Sequence, residues 1–147
     1  MPLPPLPLEA IQLGAEAESW RAAVLLAGEG LVRSGAARAG YSAEMIRMID
    51  EHGPYVVIAP GLALAHARPG PDVLADGLAI VTLSTPVKFG HPHNDPVCVV
   101  LALAIANPLE HLSAVASLAN VFNDSSAIAD LAGAETPERV REIMGLA

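Results

Sequence analysis

The stretch GPYVVIAPGLALAHARP, residues 53–69, decides which fold we expect for this chain. Its run of aromatic and β-branched residues from Tyr55 to Ile58 is typical of a strand, and the Pro-Gly pair that follows is typical of a turn. The segment from Leu62 to Ala65 is predicted to be extended again. His66 therefore lies where a predicted strand gives way to a loop that is rich in proline.

Helices and strands are mixed along the rest of the chain. Apolar residues recur at helical spacing between Glu16 and Arg33, and Ser42 is the predicted N-cap of a second helix that ends near Gly53. This order predicts one α/β domain over residues 1–147, with its core at about 16–145 and a small mixed β-sheet flanked by helices. The remaining predicted elements are strands at 77–83, 86–89 (an edge segment) and 96–106 (a buried central strand), and helices from Pro108 onward, at 125–131 and at 137–144.

The composition describes an acidic chain with an aliphatic interior. Hydrophobic residues make up 52% of its 147 residues and aromatic residues only 3%, so Ala, Val, Leu and Ile must build the core. Sixteen acidic side chains against eight Lys and Arg give a formal charge of -8. Nucleic acids and anionic membrane surfaces require a basic patch, so this balance argues against both as partners.

Three features predict a cytoplasmic location. The ten-residue apolar run Val97–Ala106 is about half as long as a membrane-spanning helix needs to be. The first residues, MPLPPLPLEA, lack the basic and apolar regions of a secretory signal. The single cysteine, Cys98, forms no internal disulfide, fits a reducing compartment and is expected in the core.

His66 is the first candidate for chemistry. A histidine near its ordinary pKa of about 6.5 is largely uncharged at neutral pH, so one ring nitrogen has a free lone pair that can accept a phosphoryl group. The guanidinium of Arg68 could pair with the phosphate oxygens. The alternative is a histidine that only makes a hydrogen bond in a turn.

Two further residues are candidates for holding phosphate. His111 is expected in the first turn of the helix after Pro108, where free backbone amides favour anions; a capping or half-buried histidine is the alternative. Arg47 lies on the helix before the His66 segment, and the turn at Gly53 could bring that helix back near the loop. A solvated surface charge is the alternative for Arg47.

Other kinds of site are weakly supported. One loop contains a possible set of metal ligands, His91, His93 and Asp95. The loop offers no second ligand set, so we predict no metal. His52 ends a helix, where a cation complements the dipole. The chain has neither a GxxxxGK[ST] loop nor a GxSxG elbow, which argues against nucleotide hydrolysis and serine hydrolase chemistry.

Several segments of the sequence, including the one around His66, resemble those of a known family. Residues 53–69, followed by GLAIVTLSTPVKFG (77–90), NDPV (94–97) and HLSAVASLANVFND (111–124), are similar to the enzyme IIA components of the sugar phosphotransferase system. The resemblance runs from about Trp20 to Met144 and implies the fructose/mannitol-type fold. The sequence motif around His66 is most similar to that of the ascorbate-specific branch.

The resemblance implies a phosphocarrier. His66 would take a phosphoryl group from the phosphohistidine of HPr and pass it to a cysteine of a IIB component, for a sugar or L-ascorbate that enters through a IIC membrane permease. His111 matches the second histidine of the family's site, and Arg47 lies on the helix that carries the family's arginine. No metal, nucleotide or other cofactor is implied, and a homodimer is a candidate assembly.

The sequence departs from the family at Ala65, where proline is usual. Proline would fix φ near -65°, and alanine loosens that restraint. The sequence alone is also compatible with three other functions. They are a regulatory IIA-like protein that signals its phosphorylation state without transport, a metal-dependent hydrolase using His66, His91, His93 and Asp95, and a binding module without chemistry.

Overall fold

A mixed five-stranded sheet forms the centre of the protein, and the computed structural model describes residues 3–124 and 126–146. The strands are β1 (Ile11–Ala15), β2 (Val57–Ala59), β3 (Leu62–His66), β4 (Gly77–Val87) and β5 (Val97–Ala104). The helices are α1 (Trp20–Arg33), α2 (Gly40–His52), α3 (His111–Val121), α4 (Ser126–Ala132) and α5 (Pro137–Ile143). Short 3-10 turns cover Leu8–Ala10 and Pro108–Glu110.

The strand order is β1-β4-β5-β3-β2. The β1–β4 and β3–β5 pairs are parallel, whereas β4–β5 and β2–β3 are antiparallel. The α/β class and the small mixed sheet predicted from the sequence are therefore confirmed. The order places β3, which ends at His66, beside β5, and the register pairs His66 with Leu103.

The core is aliphatic, as the composition predicts. Strand β5 is nearly completely buried, which confirms the buried central strand expected at 96–106. Helix α1 packs against β4 and β5 and also contacts α2. The two helices approach so closely that a Cβ on Gly28 would lie 1.9 Å from Ser42 Oγ.

The first strand of the sheet was not predicted from the sequence. Residues of the Pro-rich start form a turn and then β1, which pairs with β4 at one edge of the sheet. Leu6 is 1% exposed and Ile11 is 8% exposed. The core therefore begins before the predicted boundary near residue 16, because the edge of the sheet needs an apolar cover.

Several predicted boundaries are corrected. Helix α1 begins at Trp20 and not at Glu16, because Ser19 caps it by accepting a hydrogen bond from the Ala22 amide. Ser42 is not an N-cap: it lies inside α2, buried against Gly28. The predicted strand at 55–58 is shifted to β2, at 57–59.

The remaining predictions differ in smaller ways. The edge segment expected at 86–89 is not separate, since β4 continues to Val87 and pairs there with Val97. The helix expected at 125–131 appears as α4, although its predicted first residue, Ser125, lies outside the described residues. Within the parts of the chain that the structure covers, none of the helices has the length and apolarity to cross a bilayer.

Candidate functional site

His66 is the last residue of β3 and lies at the edge of the core. The four residues before it are completely buried, whereas the His66 side chain is half-buried. Its Nδ1 lies 2.9 Å from the backbone oxygen of Leu64. A carbonyl oxygen only accepts hydrogen bonds, so this contact assigns the proton of the neutral ring to Nδ1. Nε2 then has the free lone pair.

The surroundings of His66 favour its neutral form. Burial lowers the pKa of the ring, and the nearby His111 lowers it further, while the hydrogen bond to Leu64 acts in the opposite direction. Burial dominates because an imidazolium ion loses more hydration than a neutral ring does. The neutral form of His66 is therefore favoured at neutral pH.

His111 lies beside His66, as the sequence suggested. It is the first residue of α3 and follows the turn that begins at Pro108. The centroids of the two imidazole rings are 5.3 Å apart, with their planes inclined by 50°. The sheet order and the start of α3 thus bring together the two candidate histidines, which are far apart in sequence.

The His111 ring has an unused polar atom. Within the described residues, its Nδ1 is buried and has no hydrogen-bond partner. Burial also lowers the pKa of His111. A buried polar atom without a partner is uncommon and costs free energy, so Nδ1 gives the His111 ring no hydrogen bond that would fix its orientation.

Two tyrosines complete the site, and sequence reasoning missed both. The Tyr55 ring meets the His66 ring edge-on, with centroids 5.5 Å apart and an interplanar angle of 88°. Its hydroxyl donates to the His66 carbonyl oxygen at 3.3 Å. The one available signal was their rarity, since the chain has only two tyrosines.

Tyr41 reaches the same segment from α2. Its hydroxyl accepts a hydrogen bond from the Ala67 amide at 3.1 Å and donates to the Leu103 carbonyl at 2.7 Å. Burial raises the pKa of Tyr41 to about 12, so the phenol remains a donor. The side chain is 2% exposed and ties α2 to the ends of β3 and β5.

The two candidate arginines have different environments. Arg68 is exposed and lines a cleft of about 270 Å³ with Tyr41 and Glu44. Arg47 is also exposed, and its guanidinium binds Glu44 and, at 2.7 Å, Glu51. These contacts place Arg47 on carboxylates of its own helix and do not bring it to His66.

The His91–Asp95 loop is stabilised by its own hydrogen bonds. The Asp95 carboxylate accepts from the backbone amides of Phe89, Gly90 and His91. The His91 ring is used in the same way: its Nδ1 accepts from the amides of His93 and Asn94, at 3.1 and 3.0 Å.

This loop is separated from His66. It precedes Val97 at the start of β5, whereas His66 pairs with Leu103 near the end of that strand. In residues 3–124 and 126–146, no group of three or more His, Cys, Asp or Glu side chains could hold a metal ion. In the described residues, the side chains considered as ligands for a metal-dependent hydrolase are therefore not brought together.

The lone cysteine and His52 have structural surroundings. Cys98 is half-buried on β5, less buried than expected, with its sulfur 3.6 Å from the Gly61 carbonyl oxygen. Burial raises the pKa of its thiol, which disfavours the reactive thiolate. His52 is the last residue of α2, as predicted.

Comparison with known proteins finds relatives that match most of the chain. A family model described as "Phosphoenolpyruvate-dependent sugar phosphotransferase system, EIIA 2" matches residues 5–145. An ascorbate-specific PTS system EIIA component from Shigella boydii is 34% identical over 92% of this chain and 89% of its own. Both matches include His66 and His111.

Solved structures agree with the fold. A PTS IIA protein from Streptococcus mutans, PtxA, has 35% identity and a TM-score of 0.84 over 93% of this chain and 88% of its own. Enzyme IIAMTL of Escherichia coli, solved in complex with phosphorylated enzyme IIBMTL, has 26% identity and a TM-score of 0.83 over 96% and 99%. The nitrogen regulatory protein IIA-Ntr of Neisseria meningitidis has 28% identity and a TM-score of 0.81, over 95% of each chain.

Proposed function

The chain belongs to the phosphoenolpyruvate-dependent sugar phosphotransferase system EIIA 2 family, and on this basis we propose that it carries a phosphoryl group on Nε2 of His66. The donor is the phosphohistidine of HPr and the acceptor is a cysteine of a IIB component. The observation that carries the proposal is the His66–His111 pair, in which the His66 ring, with Nδ1 held on the Leu64 carbonyl and Nε2 free, lies 5.3 Å from the His111 ring.

The two transfer steps need no proton from solvent. The Nε2 lone pair of His66 attacks phosphorus, a new N–P bond forms, and the N–P bond of the donor breaks with its electron pair returning to the donor ring. In the second step a IIB thiolate attacks, an S–P bond forms, and Nε2 recovers its lone pair. The proton stays bonded to Nδ1 throughout and is donated in a hydrogen bond to the Leu64 carbonyl oxygen, which stabilises the ring when it carries the phosphoryl group.

His111 and Arg68 supply charge stabilisation. The His111 ring lies beside the His66 ring, so a ring N–H of His111 that turns toward the phosphoryl group would donate to one of its oxygens. Arg68 follows His66 by two residues and is exposed, so its guanidinium can approach the same oxygens. Arg47 takes part only if it exchanges Glu44 or Glu51 for phosphate, so we give it the smaller role.

The docking surface for HPr and IIB is an apolar rim around the two histidines. We define this rim as Tyr55, Leu109 and Leu112, which are 39%, 89% and 80% exposed. Leu109 and Leu112 flank His111 in sequence, and Tyr55 contacts His66. Exposed large apolar side chains around a reactive group suit partners that dock in turn and leave. The IIC permease is then reached only through IIB.

We propose L-ascorbate as the substrate of the complete system. The support is the 34% identity to the ascorbate-specific component of Shigella boydii. The regulatory alternative has the weaker support of the nitrogen regulatory protein of Neisseria meningitidis, at 28% identity. Uptake of labelled ascorbate in cells that lack this chain distinguishes the two, because a regulatory protein would leave uptake intact.

The decisive experiment is phosphorylation in vitro. We would incubate the protein with phosphoenolpyruvate, enzyme I and HPr, and measure intact mass for wild type, His66→Ala and His93→Ala. We expect one acid-labile phosphoryl group on wild type and on His93→Ala, the matched histidine control, and none on His66→Ala. An unmodified wild type would reject the carrier function, and a modified His66→Ala would reject His66 as its site.

A further inference from the structure

The two tyrosine hydroxyls bind opposite ends of one peptide group. The peptide that joins His66 to Ala67 offers a carbonyl oxygen and an amide hydrogen. Tyr55 donates to that oxygen at 3.3 Å, and Tyr41 accepts from that amide at 3.1 Å. Both tyrosines of the chain are therefore used on the peptide that follows the proposed phosphoryl acceptor.

The place of this peptide explains why it needs such partners. Strand β3 ends at His66, so the next amide leaves the regular ladder of the sheet. Ala67 is nevertheless only 2% exposed, and a buried amide without a partner is costly. Tyr41 supplies that partner, and its hydroxyl donates a hydrogen bond to the carbonyl oxygen of Leu103, the residue paired with His66.

The backbone of His66 also sets the direction of its ring. Ala65 does not restrict its own φ as a proline would, so restraint on His66 has to come from other contacts. The two tyrosine hydroxyls fix the carbonyl side of His66, and the edge of the Tyr55 ring limits rotation of the imidazole. These contacts act together with the Nδ1–Leu64 hydrogen bond.

We propose that Tyr41 and Tyr55 are positioning residues, whose hydroxyls form a clamp on the His66–Ala67 peptide. The clamp keeps Nδ1 of His66 hydrogen-bonded to the Leu64 carbonyl oxygen and leaves Nε2 free to react. The inference rests on the proposed phosphocarrier function for its kinetic consequence. Its structural content, the orientation and tautomer of the His66 ring, is independent of that function.

The test compares Tyr41→Phe and Tyr55→Phe, which remove only the hydroxyls. The matched control is Thr82→Val, which removes another side-chain hydroxyl that accepts from a backbone amide, that of Gly14 at 2.9 Å. Thr82 is 3% exposed and pairs with Val99, away from Leu103. The readouts are the single-turnover rate of transfer from phospho-HPr and the ¹⁵N shifts of the His66 imidazole, which report its tautomer.

We expect Tyr41→Phe to slow transfer about tenfold and Tyr55→Phe about threefold, because small losses of alignment cost rate and the Tyr55 bond is the longer one. Thr82→Val should stay within about twofold of wild type, since it loses a structural bond only. Both tyrosine variants should also show a larger population of the Nε2–H tautomer of His66.

Each outcome decides a different point. Wild-type transfer rates in both tyrosine variants, or an equal loss in Thr82→Val, would overturn the clamp. If wild type accepts no phosphoryl group, the carrier function fails, and the imidazole shifts alone then judge the clamp: an unchanged tautomer population in both variants overturns it. Tyr55 is partly exposed, so Tyr55→Phe keeps the test usable even if Tyr41→Phe fails to fold.

Discussion

At the scale of the single residue, burial of His66 predicts its pH dependence. Burial disfavours the imidazolium ion and lowers the pKa of the ring below its ordinary value of about 6.5. A protonated ring has no lone pair on Nε2, so the acceptor is lost only when the pH falls through this lowered pKa. We expect an NMR titration of His66 with a midpoint below that of a histidine in an unstructured peptide. A midpoint at or above the peptide value would contradict the assigned burial.

Removal of the neighbouring histidine should change both the pKa and the rate. In His111→Ala the repulsion between the two rings disappears and water gains access, and both effects raise the pKa of His66. Loss of a donor to the phosphoryl oxygens should slow transfer from phospho-HPr about 10- to 100-fold. His93→Ala, an exposed histidine in the distant loop, serves as control. An unchanged rate in His111→Ala would leave His111 without the role proposed for it.

The candidate site was predictable where a residue's own chemistry marked it. His66 and His111 stood out as histidines at a strand end and a helix start, and the structure brings their rings together. The tyrosines could not be predicted, because their function depends on which backbone groups they reach. Tyr41 meets Ala67 across 26 residues, and that contact follows from the packing of α2 against the strand ends.

At the scale of the elements, the close contact between α1 and α2 gives a stability prediction. A Cβ on Gly28 would lie 1.9 Å from Ser42 Oγ and 3.0 Å from Ser42 Cβ, so the helices would have to separate. We expect Gly28→Ala to lower the free energy of unfolding by about 1–3 kcal/mol, the usual cost of overpacking. Urea unfolding followed by circular dichroism measures it.

The control for that prediction is Gly133→Ala, just after α4. Its added Cβ would meet nothing closer than 3.5 Å, which is ordinary van der Waals contact. Equal stability of the two variants would show that α1 and α2 can move apart without cost. Replacing Ser42 by Gly in the Gly28→Ala background should recover part of the loss, because it removes the side chain that collides.

The elements themselves were predictable where apolar residues marked them clearly. Strands β3 and β5 follow from continuous apolar runs, and helix α1 follows from apolar residues at helical spacing. Strand β1 was missed because it lacks a continuous apolar run, follows a Pro-rich segment and contains Gly14, which has a φ of 62°. Ser42 was misread as a cap because a buried serine against a glycine has the same sequence signal as a capping serine.

At the scale of the whole molecule, the charge balance limits how partners can be held. The formal charge is -8, and the chain has only eight basic side chains. Long-range attraction would therefore require basic patches on the partner and would set the encounter rate, whereas short-range affinity would come from buried apolar area. In the proposed function, the apolar rim of Tyr55, Leu109 and Leu112 provides that area around the histidine pair.

The rim predicts a loss of docking without a loss of folding. Leu112 is 80% exposed, so Leu112→Asp removes almost no buried contact within this chain and should leave the free energy of unfolding nearly unchanged. At an interface the same change places an unpaired charge against an apolar partner, so the Kd for IIB should rise about tenfold or more. Titration calorimetry with purified IIB measures the Kd. Leu25→Asp, at another exposed leucine on α1, is the matched control and should bind like wild type. Equal losses in the two variants would mean that added negative charge alone weakens binding. An unchanged Kd in Leu112→Asp would show that the docking surface does not include the start of α3.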